Sequence, residues 1–141
     1  MEIIQFNIEI QAKINVVWEI LWNDETYRKW TSVFHPTSHA VGTWEQGEHI
    51  QFLTDTGKGM YALIEEKIIP NRMVFKHLGE IQQGNFIPQN WENAYEKYFL
   101  SENENGTLLT VELHTLEEFK AFFMDVFPKA LTIIKELAEA R

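Results

Sequence analysis

Two predicted strands carry the side chains best suited to acid–base chemistry. His77 alternates with Met73 and Phe75 along one strand, and Glu96 alternates with Tyr98 along another. If these apolar faces point inward, the carboxylate is buried, and burial raises its pKa unless a partner compensates. Such a group could serve as an acid or a base. The alternative interpretation is structural, namely a core histidine and a carboxylate whose hydrogen bonds are satisfied within the protein.

The residue types and their spacing do not indicate a metal site, a disulfide, a cysteine nucleophile or a cofactor-binding motif. The chain contains no cysteine, which excludes disulfides, thiolate metal sites and a cysteine nucleophile. His35 and His39 are four residues apart, but Pro36 between them prevents the helix that would make this spacing useful for a metal. No nucleophile elbow, phosphate-binding loop or dinucleotide fingerprint occurs. We therefore predict no metal, no cofactor and no catalytic residue identified by a motif.

The amino-acid composition restricts the classes of partner that the protein could bind. The chain of 141 residues has 21 acidic and 12 basic residues, a formal net charge of -9. This charge opposes binding to nucleic acids and to anionic membranes. No apolar run approaches the ~18 residues of a membrane-spanning helix, and the amino terminus lacks a basic segment followed by an apolar one. We expect one domain over residues 1–141, located in the cytoplasm and not inserted in a membrane.

The elements that would position these side chains follow from periodicity. An alternating first strand around Ile4 to Ile10 precedes two short helices, for which Asn15 and Asp24 are the expected N-caps. A series of strands joined by turns follows, and the Asn105-Gly106 pair predicts a tight hairpin. Residues 79–92 are predicted to form a loop. Its apolar side chains would act as a lid over a cavity or, alternatively, pack onto the core.

The last 26 residues are predicted to form a long amphipathic helix. Thr115 and Glu118 have the spacing of a capping box, and Pro128 predicts a kink or break near residues 125–127. A helix of this length after many strands requires a concave sheet in which to lie. The residues expected on its inward face are Leu116, Phe119, Phe123, Val126, Ala130, Ile133 and Leu137.

Several short motifs occur in an order that resembles a known superfamily. They are Ile10-Gln11-Ala12 followed by Val17-Trp18, then Trp30, the segment Gly42 to Gly47, Pro70-Asn71-Arg72, and Gly106-Thr107-Leu108-Leu109-Thr110. This order resembles the START and birch-pollen-allergen superfamily (SRPBCC), and most closely its branch similar to the heat shock protein ATPase activator. The resemblance implies an α+β helix-grip fold, with a curved antiparallel sheet of six to seven strands, in the order β-α-α-β6-α, wrapped around the C-terminal helix.

The resemblance also implies a pocket, since members are known as lipid or hormone carriers and as cyclases or aromatases. We predict a binding protein for a small apolar molecule, held in a cavity between the C-terminal helix and the sheet. His77 and Tyr98 would supply its polar contacts. The predicted lining residues are Trp30, Phe52, Met60, Met73, Phe75, His77, Trp91, Tyr98, Phe119 and Phe123.

Two alternatives remain open. The first is a cyclase- or aromatase-like enzyme that uses His77, Glu96 or Tyr98 in the same cavity. The second is a chaperone-interaction module resembling the heat shock protein ATPase activator and working through its surface. No exposed hydrophobic patch can be identified from the sequence, which disfavours this second alternative.

Overall fold

The computed structural model describes residues 1–141 as eight strands and three helices. The elements are β1 (Glu2–Ile10), α1 (Ile14–Trp22), α2 (Asp24–Thr31), β2 (His39–Val41), β3 (His49–Leu53), β4 (Lys58–Ile68), β5 (Arg72–Gln82), β6 (Asn85–Pro88), β7 (Tyr95–Asn103), β8 (Gly106–Thr115) and α3 (Glu117–Glu139).

All strands belong to one antiparallel sheet. Its order is β1-β8-β7-β5-β4-β3-β2, and β6 adds to β5 off this path. The two short helices and α3 pack on the concave face, where alternate strand residues form the core. The predicted α+β helix-grip fold is confirmed, with one more strand than the six to seven expected.

The short helices are fixed by hydrogen bonds from their own side chains. The Asn23 side chain caps α2 by accepting a hydrogen bond from the Glu25 backbone N–H at 3.1 Å. The indole N–H of buried Trp30 donates to the Leu21 carbonyl at 3.1 Å, which ties α2 to α1. The predicted caps were each one or two residues late, since α1 begins at Ile14, before Asn15.

The segment 79–92 differs from its prediction. β5 continues to Gln82, and β6 pairs back along it to form a hairpin. The turn between them contains Gln83 and Gly84 with φ of 52° and 80°, the left-handed conformations of a type I′ turn. The prediction of a loop is therefore wrong for most of this segment. Besides the turn residues Gln83 and Gly84, the residues outside a strand are 89–94, which include half-buried Trp91.

Helix α3 buries a different stripe from the one predicted. Phe119 is 49% exposed, and residues 117–122 are all exposed, so the inward assignment of Phe119 was wrong. Val126 and Ala130 are buried as predicted, whereas Phe123, Ile133 and Leu137 are half-buried. The buried stripe begins at Val126 and includes a neighbouring residue at most turns. Its members are Val126, Phe127, Ala130, Leu131, Ile134 and Ala138.

The same helix continues through Pro128 without a break. The proline deprives the Met124 carbonyl of its usual donor, but both residues are exposed, so water can replace the missing hydrogen bond. The predicted capping box is also absent, since Leu116 is the N-cap and no side chain caps the helix.

α3 packs mainly against β1, α1 and α2. The Phe127 ring stacks on Phe6 of β1 with centroids 5.2 Å apart. The helix therefore covers the β1 side of the concave face and leaves the β3, β4 and β5 side to other residues. None of the three helices combines the length and apolarity needed to cross a membrane.

Candidate functional site

Seven aromatic side chains meet on the part of the concave face that α3 leaves uncovered. Trp22, at the end of α1, is central: its ring centroid lies 4.8 Å from Tyr98, 5.4 Å from Trp44 and 5.5 Å from Phe75. We call this group the aromatic cluster; its members are Trp22, Tyr27, Trp30, Trp44, Phe52, Phe75 and Tyr98.

The structure brings some of the ten predicted lining residues together and separates others. Trp30, Met73, Phe75 and Tyr98 are fully buried in the core, where three of them belong to the aromatic cluster. The remaining six lie nearer the surface: Phe52, Met60, His77, Trp91 and Phe123 are half-buried, and Phe119 is exposed.

Sequence reasoning missed Trp22 and Trp44. The i, i+4 spacing of Trp18 and Trp22 on α1 was a signal that both share a face. Trp44 offered none, because it lies in a turn and folds back over the sheet with a φ of 63°, which is rare for a bulky residue.

Ring packing occupies the space where an enclosed cavity was predicted. Two pockets that are open to solvent have volumes of about 230 Å³ and about 280 Å³. The first is lined by three tryptophans together with Met73, and the second by largely polar residues around Lys135. Of the ten predicted residues, only Met73 lines either pocket.

Three polar side chains that the sequence singled out form one hydrogen-bonded network at an edge of the aromatic cluster. His77 Nε2 lies 2.9 Å from Glu96 Oε1, and the Tyr98 hydroxyl donates to Glu96 Oε2. β5 and β7 pair with Phe75 opposite Glu96 and Met73 opposite Tyr98, so all three polar groups share the concave face. We call this group the polar network.

The polar network changes the acidity of its buried phenol. Burial raises the pKa of Tyr98 well above its usual value, and the Glu96 charge and hydrogen bond raise it further. Burial likewise raises the pKa of nearby Tyr27, with a smaller contribution from the Glu96 charge. Both phenols are therefore neutral hydrogen-bond donors at physiological pH, and Tyr98 directs its hydrogen at the carboxylate.

The hydrogen bonds also define the state of the imidazole. A carboxylate only accepts hydrogen bonds, so His77 Nε2 carries the hydrogen toward Glu96. In a neutral ring, Nδ1 is then an acceptor. This Nδ1 is buried and has no hydrogen-bond partner in the protein, an arrangement that costs free energy unless water or a ligand donates to it.

The polar network is close to solvent on one side. The side chain of His77 is 12% exposed and that of Glu96 is 24% exposed. Phe52 is half-buried, and its ring centroid is 5.7 Å from that of His77. We call this region, formed by Phe52, His77 and Glu96, the open end of the concave face.

The remaining carboxylates and histidines do not form a comparable site. No group of three or more histidine and carboxylate side chains has an arrangement that could hold a metal ion. Glu112, on the opposite face of the sheet, lies 3.0 Å from His114 Nε2, and this hydrogen bond lowers the pKa of Glu112.

Comparison with known proteins identifies the fold. No family model matches the sequence, and no curated protein sequence is significantly similar to it. Among solved structures, the chain is similar to the Aha1 dimer from Colwellia psychrerythraea, with 22% identity, a TM-score of 0.77 and coverage of 99% of this chain and 97% of that one.

Two further structures agree over nearly the same span. The AHSA1-like protein from Aeromonas hydrophila has 14% identity and a TM-score of 0.71, with 99% and 93% of the two chains covered. Protein MLL2253 from Mesorhizobium loti has 10% identity and a TM-score of 0.78, with 99% and 98% covered. This chain therefore shares its fold with these structures, and it is the helix-grip fold that the sequence motifs predicted.

Proposed function

We propose that this protein binds a small, largely apolar molecule carrying one hydroxyl group, at the open end of the concave face. The observation that supports this most directly is the polar network, in which an oriented imidazole retains a buried Nδ1 without a partner. A ligand hydroxyl donating to Nδ1 would satisfy this atom and fix the orientation of the ligand.

The surroundings favour an apolar body for such a ligand. Phe52 packs beside the imidazole, and its ring centroid lies 5.3 Å from that of Phe75. Aromatic side chains around a few oriented polar groups are typical of small-molecule sites. Glu96 disfavours an anionic ligand by direct repulsion, and the net charge of -9 adds to this.

Binding at this end would involve a local rearrangement, since the rings of the aromatic cluster pack closely beside His77. Phe52 is the element best placed to move, because it lies half-buried on β3 at the edge of the aromatic cluster. Phe52 would rotate outward and admit the apolar body between its ring and His77.

A matched pair of probes tests this proposal. We expect 2-naphthol to shift the imidazole resonances of His77 in a saturable manner, and naphthalene, which lacks the hydroxyl, to bind about fivefold more weakly, the ratio expected from one net hydrogen bond of about 1 kcal/mol. His77→Phe should abolish this preference. His49→Phe, at an exposed position, is the control. Equal affinity of the two probes, or an unchanged preference in His77→Phe, contradicts the proposal.

The polar network also favours the enzyme alternative. A carboxylate that holds an imidazole in one tautomer is the arrangement that activates histidine as a general base. In a cyclase- or aromatase-like reaction, His77 Nδ1 would accept the proton and Glu96 would stabilise the resulting imidazolium. Turnover of a polyketide-like substrate that is lost in Glu96→Gln, while binding is retained, would establish this function. Binding without turnover supports a carrier.

The interaction-module alternative gains one observation that the sequence did not reveal. Phe119, Phe122 and Met124 on α3 are each about half exposed, at 49%, 47% and 50%. Exposed aromatic side chains close together are typical of protein contact surfaces. If the protein works through this surface, Phe119→Ser with Phe122→Ser should abolish capture of a chaperone, while His77→Phe leaves it intact.

A further inference from the structure

We propose that the pocket lined by Trp18, Trp22 and Trp44, here called the indole pocket, binds a small quaternary-ammonium compound. The pocket has a volume of about 230 Å³, and its other lining residues are Glu19, Asn23, Lys67, Ile69 and Met73. An apolar cavity of about 150 Å³ is large enough for benzene, so this one accommodates a trimethylammonium group with a short substituent.

The indole pocket is separate from the open end of the concave face. Both border β5, but Met73 belongs to the indole pocket and His77 to the open end, four residues further along the strand. At the rise of an extended strand, this spacing separates them by about 13 Å. Phe75 and Trp22 pack between the two regions. The inference therefore does not depend on the proposed function.

The aromatic lining determines the class of ligand. Tryptophan gives the strongest cation–π attraction of the aromatic side chains. The planes of Trp18 and Trp22 meet at 75°, and those of Trp22 and Trp44 at 44°, so the three rings that line the pocket are inclined to one another. A quaternary ammonium has no hydrogen to donate, and its methyl groups present apolar surface, so rings and the side chains of Ile69 and Met73 suit it better than hydrogen-bonding groups.

The charges at the pocket favour a cation with a second polar end. Glu19 is exposed and forms no ion pair with another residue, which leaves its carboxylate available to the ammonium group. The net charge of -9 attracts cations over a longer range. Lys67 also lines the pocket, and its ammonium would face a hydroxyl or carboxylate at the other end of the ligand.

Trp44 is held in place at an energetic cost. Its φ of 63° lies in the left-handed region, which a bulky residue rarely adopts because it strains the backbone. Packing against Trp22 and Tyr27 maintains this conformation, with ring centroids 5.4 Å and 5.6 Å away. Because the strained residue is also a wall of the pocket, the strain coincides with the site and supports a binding role.

The test compares choline with 3,3-dimethylbutan-1-ol, which has the same shape but no charge. We expect choline to shift the indole N–H resonances of Trp18, Trp22 and Trp44 in a saturable manner, and the neutral alcohol to bind at least tenfold more weakly. Glycine betaine distinguishes the role of Lys67: its carboxylate should strengthen binding in the native protein and should no longer do so in Lys67→Ala.

Three variants complete the test. Trp44→Leu removes one half-buried ring and should weaken choline binding about tenfold, whereas Trp44→Phe should weaken it less. Phe86→Leu, which alters an exposed aromatic residue outside the pocket, is the matched control and should change nothing. The inference is overturned if choline and the alcohol bind equally, if choline shifts only the indoles of Trp30 and Trp91, or if Trp44→Leu retains full affinity while remaining folded.

Discussion

The hydrogen bond between Tyr98 and Glu96 provides the sharpest energetic prediction. Tyr98 is fully buried, and its hydroxyl donates to a carboxylate, an interaction that contributes about 1.5–3 kcal/mol. The Glu96 side chain is 24% exposed, so water replaces part of the lost interaction and the lower end of this range applies. Tyr98→Phe should therefore reduce the free energy of unfolding by about 1.5 kcal/mol.

A second substitution, Glu96→Ala, should reverse the effect of Tyr98→Phe on stability. Glu96→Ala removes the acceptor and leaves a buried phenol without a partner, which costs about 1–3 kcal/mol. In that background, Tyr98→Phe removes the unsatisfied hydroxyl and should be neutral or stabilising. The two substitutions should thus couple by about 2 kcal/mol, well above the 0.3–0.5 kcal/mol within which independent sites add.

Urea denaturation of the four proteins measures this coupling, provided that the denaturant slope stays constant through the cycle. A parallel cycle with Tyr98→Phe and Glu112→Ala is the control, because Glu112 lies on the opposite face of the sheet and should be additive with Tyr98. If the first cycle is as additive as the second, Tyr98 and Glu96 do not interact as the structure indicates, and the polar network loses its basis.

Three further predictions concern acidity and packing. As pH rises, Tyr27 and Tyr98 should ionise only with unfolding, because their folded-state pKa values are raised. Their contribution to stability is then full below about pH 10 and is lost above it. Reversible titration of all four tyrosines of the folded protein, followed by tyrosinate absorbance, would contradict this. Phe127→Ala should cost about 3–5 kcal/mol by urea denaturation, and Phe119→Ser less than about 0.5 kcal/mol; similar costs would show that the phase of α3 is wrong. Glu112→Gln should lower the free energy of unfolding by up to about 1 kcal/mol above about pH 4.5 and leave it unchanged in acid, because the native carboxylate has a lowered pKa. A loss of stability that does not depend on pH would show that the carboxylate charge is not its cause.

The sequence predicts the architecture well because strand alternation and turn chemistry are local. β1 and β8 show strict alternation. The hairpin lies where the Asn105-Gly106 pair predicted it, although its two turn residues are Glu104 and Asn105, and Gly106, at φ 143°, is the first residue of β8. The faces of β5 and β7 were also predictable from alternation alone, which brought His77, Glu96 and Tyr98 into one hypothesis. The structure confirms that these three side chains are adjacent.

Other features depend on distant contacts. The phase of α3 is decided by where β1, α1 and α2 touch it, so Phe119, which looks inward by periodicity, remains exposed. The abundance of aromatic residues predicted a lined cavity, but many of these residues pack on one another, because Trp22 and Trp44 add their rings to those of the sheet. Strand β6 escaped prediction because Gln83 supplies a left-handed turn residue without being glycine or asparagine.

Native mass spectrometry of the protein purified from its own host tests the central claim most directly. We predict that the native chain retains a small molecule as a noncovalent adduct, that His77→Phe loses it, and that Trp44→Leu keeps it because the indole pocket is a different site. A bare chain mass for the native protein, or the same adduct in equal proportion on His77→Phe, would contradict binding at the open end of the concave face.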